Sequence, residues 1–263
     1  MLKPHRPLRV AVLCSRNAPG LLYLLNRSPD RGVAYEIACV VSSDRTFAEE
    51  VRVERRGIPT RGHSIHDFYA SRGLIDVGDL DVRAEYDAAT LELLDDYAPD
   101  IVLLDGYLYL LTAPMLAAYP ARIINLHFSD LTLRQADGGP RFPGICPVRD
   151  ALAAGCSETR ATVHLVNERL DDGPPILRSW PFPVSPLVED LRSQDAGNVF
   201  KAYAWAHEQW MLRTAAVSGP AAALRLVGTG AVDLREFENG SLAPWVLDRF
   251  GLVHTHEPEL AAV

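Results

Sequence analysis

Two side chains with hydrogen-bonding and acid–base chemistry stand two positions apart in Asn125-Leu126-His127. They end an apolar run, Ile123-Ile124, that reads as a strand. On an extended strand end, residues two apart point to the same face, so the amide and the imidazole share one surface. An amide N–H can donate to the oxyanion that develops in acyl transfer. An imidazole can stabilise the same charge or relay a proton. An Asp on a neighbouring loop would fix the ring's orientation and take part in proton movement. The polar stretch Asn167-Glu168-Arg169-Leu170-Asp171-Asp172-Gly173-Pro174 is such a loop. Spacing alone leaves a plainer reading open, a structural Asn beside a surface His.

The elements that must position these groups alternate along the chain. Arg9 to Cys14 reads as a short buried strand, followed by the turn Ser15-Arg16-Asn17-Ala18-Pro19-Gly20 and a helix from Leu21. Tyr35 to Val41 reads as a second strand. A charged helix follows over Phe47 to Arg56, ended by Gly57, and Ile58-Pro59-Thr60 opens the next extended piece. Residues 62 to 80 read as a loop. Val82, Tyr86, Ala89, Leu93 and Tyr97 recur at helical spacing and predict one buried helix face, with Pro99 ending the helix. Ile101 to Leu104 and Arg122 to Leu126 are the next strands, and a polar loop spans Phe128 to Gly144. Pro147 to Ala154 reads as helix, and Ala161 to Val166 and Ile176 to Phe182 as strands. Val188 to Val217 reads as largely helical, with Trp205, Trp210 and Leu212 as core candidates. This pattern predicts an α/β fold: a doubly wound, mostly parallel sheet with helices on both faces. Such sheets bind ligands at the carboxyl ends of their strands. Asp105 to Leu111, Asn125 to His127 and Asn167 to Pro174 all fall there.

Composition narrows the function. The 263 residues are 48% hydrophobic and 23% charged, as in a chain that buries one sizeable core. A net charge of −8 disfavours a general nucleic-acid role. The N-terminal apolar stretch is too short for a signal peptide, and no apolar run reaches bilayer length, so a cytoplasmic protein is expected. Cys14, Cys39, Cys146 and Cys156 form no C-x-x-C pair and read as small buried hydrophobes. His63-x-x-His66-Asp67 and His254-x-His256-Glu257 lack a matched second half at zinc spacing, so surface histidines and no metal are expected. There is no G-x-G-x-x-G, P-loop or G-x-S-x-G motif. The segment after Gly228 holds Phe237, Trp245 and Phe250, too apolar for a disordered tail. It is expected to pack on its own domain or on a second copy in a homodimer.

Three segments carry a family resemblance: Ile101-Val-Leu-Leu-Asp-Gly-Tyr-Leu-Tyr-Leu-Leu, then Ile123-Ile-Asn-Leu-His, then Leu170-Asp-Asp-Gly-Pro-Pro-Ile. In order and spacing they resemble the core of the folate-dependent formyltransferases. The resemblance implies a catalytic domain over residues 1–228, with 229–263 as a C-terminal extension. It implies Asn125, His127 and Asp171 as the catalytic set. It further implies that the loops at Tyr107–Leu111 and Val166–Gly173 hold the pterin of 10-formyltetrahydrofolate. Leu104, Tyr107, Tyr109, Leu111, Val166, Leu170 and Asp172 are then the expected contacts. The implied activity is formyl transfer from that co-substrate to a small-molecule amine. Two alternatives stay open: hydrolysis of 10-formyltetrahydrofolate, and a non-catalytic folate- or nucleotide-binding module.

The chain also departs from the family. Glycinamide ribonucleotide enzymes cradle a phosphate on a glycine-rich first loop. Here Pro19 lacks an N–H and stiffens that loop, and Arg16 is left to pair with an anion. Ala206 is expected where those enzymes carry an acidic ribose ligand. Both changes argue against glycinamide ribonucleotide as acceptor. The segment after His127 carries an enlarged loop with Arg134, Asp137, Gly138, Gly139 and Arg141. Neither the C-terminal domain of methionyl-tRNA formyltransferases nor the N-terminal regulatory domain of the hydrolases is expected.

Overall fold

The structure, a computed structural model, describes residues 6–193, 197–240 and 242–256. The first half alternates as predicted: β1 (Leu8–Cys14), α1 (Leu21–Asn26), β2 (Tyr35–Ser42), α2 (Glu50–Glu54), β3 (Thr60–Gly62), α3 (Ile65–Ala70), α4 (Leu80–Asp95), β4 (Ile101–Leu104), α5 (Ala113–Ala118) and β5 (Ile123–His127). The second half holds α6 (Pro147–Ala153), β6 (Glu158–Thr159), β7 (Thr162–Leu165), β8 (Pro175–Ser179), β9 (Phe182–Pro183), α7 (Leu187–Ser193) and α8 (Gly197–Gly228). A 3₁₀ turn (Leu234–Phe237), β10 (Trp245–Leu247) and β11 (Val253–His254) follow. The expected helical span Val188 to Val217 is covered by α7 and α8, and residues 194–196 between them lie outside the described residues.

Among the described residues, nine strands form one sheet in the order β11-β10-β8-β7-β5-β4-β1-β2-β3. The pairs from β3 through β5 are parallel, and β7 runs antiparallel to both β5 and β8. Buried residues cover both faces. α1 and α8 lie over one, where Val10, Val12, Leu24, Ile124 and Leu224 share a core. The other carries Ala11, Leu13, Leu94, Val102 and Met115, packed with α4 and α5. The alternation of β1 between these clusters is the period of two that sorts strand side chains. No helix among the described residues is long and apolar enough to cross a membrane.

Three local expectations are corrected. The span 62–80 is not all loop. Ser64 caps α3 by accepting from Asp67 N–H, and Ile65 and Tyr69 bury one face of a helix too short to show a period. In α4 the fully buried positions are Arg83, Tyr86, Asp87, Thr90 and Leu94, a face rotated from the expected apolar stripe. Loop groups partner Arg83 Nη1 and Nη2 and Asp87 Oδ2 there, while Arg83 Nε and Asp87 Oδ1 are buried without a hydrogen-bond partner. In α8 the core side is Ala204, Met211 and Ala215, while Trp205 is 64% exposed. Trp210 lies edge-on to Phe182 at the margin of that core.

The C-terminal segment joins the same sheet. β10 pairs parallel with β8, and Leu234, Phe237, Val246 and Leu247 are buried. Trp245 packs against the core, whereas Phe250 is 77% exposed.

Candidate active site

A cavity of about 520 Å³ lies at the carboxyl ends of the central strands and takes in Asn125, His127 and Asp171. Asn125 and His127 sit on β5, whose end pairs antiparallel with β7, so that Asn125 stands opposite His164. That register supplies a group the sequence reading missed. His164 Nε2 lies 3.2 Å from Asn125 Nδ2, and its Nδ1 lies 2.8 Å from the Leu165 carbonyl. A carbonyl only accepts, so Nδ1 carries the ring proton and Nε2 is left as an acceptor. Asn125 therefore turns its NH₂ toward His164, and its second Nδ2 proton remains for a ligand. Burial holds His164 below the ordinary histidine range, which keeps the ring neutral. The available signal was a lone polar ring within the apolar run Thr162-Val163-His164-Leu165.

His127 is fixed in the same way. Its Nε2–H donates to the Phe142 carbonyl at 2.8 Å, and Nδ1 faces Asp171 Oδ2 at 3.5 Å. Gly144 N–H donates to that Asp171 oxygen at 2.8 Å, while Oδ1 lies 3.9 Å from His164 Nε2. The Phe128–Gly144 loop thus holds two members of the set, through Phe142 O and Gly144 N. Asp171 has φ +51°, in the left-handed region that Asp adopts more readily than most residues. The glycine of Leu-Asp-Asp-Gly-Pro has a steric cause: a Cβ on Gly173 would meet Leu165 O at 1.7 Å.

The sequence-predicted contacts separate. Leu104, Tyr107, Tyr109, Leu111, Val166 and Leu170 line the same cavity, beside the apolar face packed on α4 and α5. Leu108 and Leu170, which also line it, are 60% and 55% exposed. Asp172 does not line the cavity. It pairs with Arg134 and Arg169, tying the enlarged loop to the loop after β7. The order Asp171-Asp172 offered no means of telling these directions apart. Ala206 is exposed, and α8 presents Glu208 and Leu212 to the cavity instead. The expectation at Ala206 is therefore corrected: this wall is acidic, and burial pushes Glu208 up.

Below the Tyr107–Thr112 loop, two buried α4 side chains hold the backbone. Arg83 donates to Leu110 O at 3.2 Å and to Val77 O at 2.7 Å. Asp87 Oδ2 accepts from Thr112 N–H and from its hydroxyl, both at 2.6 Å. Burial raises the Asp87 carboxyl to about 6, against these two donors.

The histidines noted for metal-like spacing are otherwise engaged. His63 stacks on Tyr86 with ring centroids 4.3 Å apart and is half-buried rather than on the surface. His254 Nε2 lies 3.0 Å from Asp248, and Glu257 lies outside the described residues. Among the described residues no three His, Cys, Asp or Glu side chains gather as a metal site.

A mostly parallel sheet that gathers Asn125, His127 and Asp171 in one cavity at its strand ends defines an α/β scaffold with hydrogen-bonding and acid–base groups in a single cleft. The formyl transferase family profile matches residues 8–194, and the chain belongs to that family. It is 32% identical over 177 residues to the formyltetrahydrofolate deformylase of Escherichia coli K12, covering 67% of this chain and 55% of that protein. The chain thus matches about half the length of that relative. It is 29% identical over 172 residues to the phosphoribosylglycinamide formyltransferase of the same organism, covering 65% of this chain and 72% of that one. The glycinamide ribonucleotide transformylase 1 structure from Symbiobacterium toebii superposes with a TM-score of 0.60 at 28% identity, over 87% of this chain and 90% of that one.

Proposed function

We propose that this protein transfers a formyl group from 10-formyltetrahydrofolate to an amine other than glycinamide ribonucleotide. The observation that carries the reading is the convergence of Asn125, His127 and Asp171 on one cavity beside an apolar lobe suited to a flat ring. The co-substrate supplies the formyl carbon. In this reading Asn125 Nδ2–H donates to the formyl oxygen, where negative charge develops as the amine adds, and His127 lies beside it as the proton relay. Because His127 Nε2–H is committed to Phe142 O, Nδ1 is the ring nitrogen left to take up a proton, and it faces Asp171. Asp171 orients His127, stabilises the charge that the ring takes up during the relay, and helps move a proton from the attacking nitrogen to the folate leaving nitrogen. Tyr107 to Leu111 and Val166 to Leu170 hold the pterin, and the first loop with Glu208 faces the acceptor.

A second reading is hydrolysis, with water in place of the amine. It is favoured by the deformylase names among the relatives, at 32% identity in one case. One assay separates the readings: release of tetrahydrofolate by the purified protein with and without candidate amines. Release that requires an amine supports transfer. Release in buffer alone supports hydrolysis and overturns transfer. Folate binding with no release under either condition overturns both.

A further inference from the structure

The loop after β1 borders the cavity, and Arg16, Asn17, Pro19, Asp105 and Glu208 are among its lining residues. A loop entering a helix N-terminus binds phosphate when its backbone N–H groups point outward without partners. Here several of those donors are taken inside the protein. Ser15 N–H donates to Gly106 O at 3.2 Å. Ala18 N–H donates to Glu49 Oε2 at 3.2 Å. Gly20 N–H is shared by the two Asp105 oxygens, at 3.1 and 3.0 Å. Leu21 N–H donates to Ala18 O at 3.2 Å, and Pro19 has no N–H.

Two of these internal acceptors are carboxylates, and their charge bears on any anion entering the cleft. Asp105 is only 5% exposed, so little water screens it. Its position is enforced by close packing: at Gly106, φ +74°, a Cβ would meet Asn17 O at 2.6 Å. Arg16, the cation of this loop, faces Asp44 at 3.7 Å. Glu208 adds a further carboxylate from α8. A phosphate monoester entering here meets occupied donors at Ala18, Gly20 and Leu21, no N–H at Pro19, and the carboxylates of Asp105 and Glu208, with the Arg16 side chain as the cation on this wall.

We infer that Asp105, backed by Glu49, is a specificity-determining residue that occupies the anion position of the first loop, so that the acceptor amine carries no phosphate and offers hydroxyl or ammonium groups to Asp105 and Glu208. This rests on the formyl-transfer reading, but its test does not depend on turnover alone. Burial pushes the Asp105 carboxyl up to about 7, so the test uses the full chain at a pH of about 8, above that value. Inorganic phosphate, glycinamide ribonucleotide and its dephosphorylated nucleoside are the probes, read by calorimetry and by formyl transfer. For the wild type, inorganic phosphate at about 10 mM is expected to give no binding heat. The nucleoside should bind or react at least as well as the nucleotide. Asp105→Ala frees Gly20 N–H and removes the charge, and should tighten phosphate binding by roughly tenfold or more.

A wild-type Kd for phosphate below about 1 mM would overturn the inference, as would a tenfold preference for the nucleotide. A folded Asp105→Ala protein that still ignores phosphate would overturn the role given to Asp105. If that variant does not fold, the wild-type nucleotide-to-nucleoside ratio and phosphate titration decide alone. If no amine is formylated while the wild type still ignores phosphate, the transfer reading fails and the anion exclusion stands.

Discussion

Asp171→Asn removes a charge while keeping the shape of the site, and its effect can be worked out from the geometry. Asn tolerates the left-handed backbone at φ +51°, so the loop should hold. Its amide oxygen can still accept from Gly144 N–H, as Asp171 Oδ2 does at 2.8 Å. What disappears is the anion 3.5 Å from His127 Nδ1. A ring that takes up a proton during turnover is attracted to the carboxylate at that separation by about 5 kcal/mol for an effective dielectric of about 20. The two side chains are 7% and 9% exposed, so solvent screens little of it. Relaxation and water entry recover part, leaving about 3 kcal/mol, or on the order of 100-fold in turnover. The assay is steady-state appearance of tetrahydrofolate, with a thermal melt of the same preparation. Turnover should fall by roughly that factor, while Tm moves by only a few degrees, about 1 kcal/mol or less in stability. A folded variant within about threefold of wild-type turnover would refute the role given to the pair.

Further predictions follow from the surroundings. Asp87→Asn should raise the KM for 10-formyltetrahydrofolate by roughly fivefold with a smaller change in kcat, because the Tyr107–Thr112 loop loses its charged clamp; equal losses in both would count against a positioning role. Stability from the protonated Asp87 carboxyl is complete below the ordinary carboxylate pKa and is lost as pH rises through about 6. The melting temperature of Asp87→Asn should therefore fall less than that of wild type across this window, and parallel curves would disprove the assignment. Gly173→Ala should destabilise by about 3 kcal/mol or fail to fold, since the added Cβ overlaps Leu165 O; an unchanged melt would mean that the loop shifts freely. Deleting residues 231–263 strips Phe237, Val246 and Leu247 from the sheet and opens the β8 edge, so aggregation is expected. A truncated protein that stays soluble with the same Tm would show the segment to be dispensable.

Much of the scaffold is written locally in the chain. Apolar runs such as Val10 to Cys14 and Ile101 to Leu104 bury whole strands, and their alternation with helices sets a mostly parallel sheet. The period of two also puts Asn125 and His127 on one side of β5, and strand-end logic directs attention to the loops after β4, β5 and β7. Each of these features follows from backbone geometry over a few residues.

The partners of the chemical groups were decided elsewhere. His164 reaches Asn125 through the antiparallel register of β5 with β7, 39 residues apart. Phe142 O and Gly144 N reach His127 and Asp171 only because the loop after β5 folds back over the strand ends. Asp87 and Arg83 lie on a helix face that apolar periodicity assigns to the outside, and their burial depends on backbone donors and acceptors in another loop. Asp105 reads in sequence as a polar residue after a strand. Its carboxylate reaches Gly20 N–H at the start of α1 because β4 and β1 are neighbours. Periodicity records which face of an element is apolar. The matching of one buried donor to one acceptor depends on which distant backbone arrives beside it, and only the tertiary structure determines that.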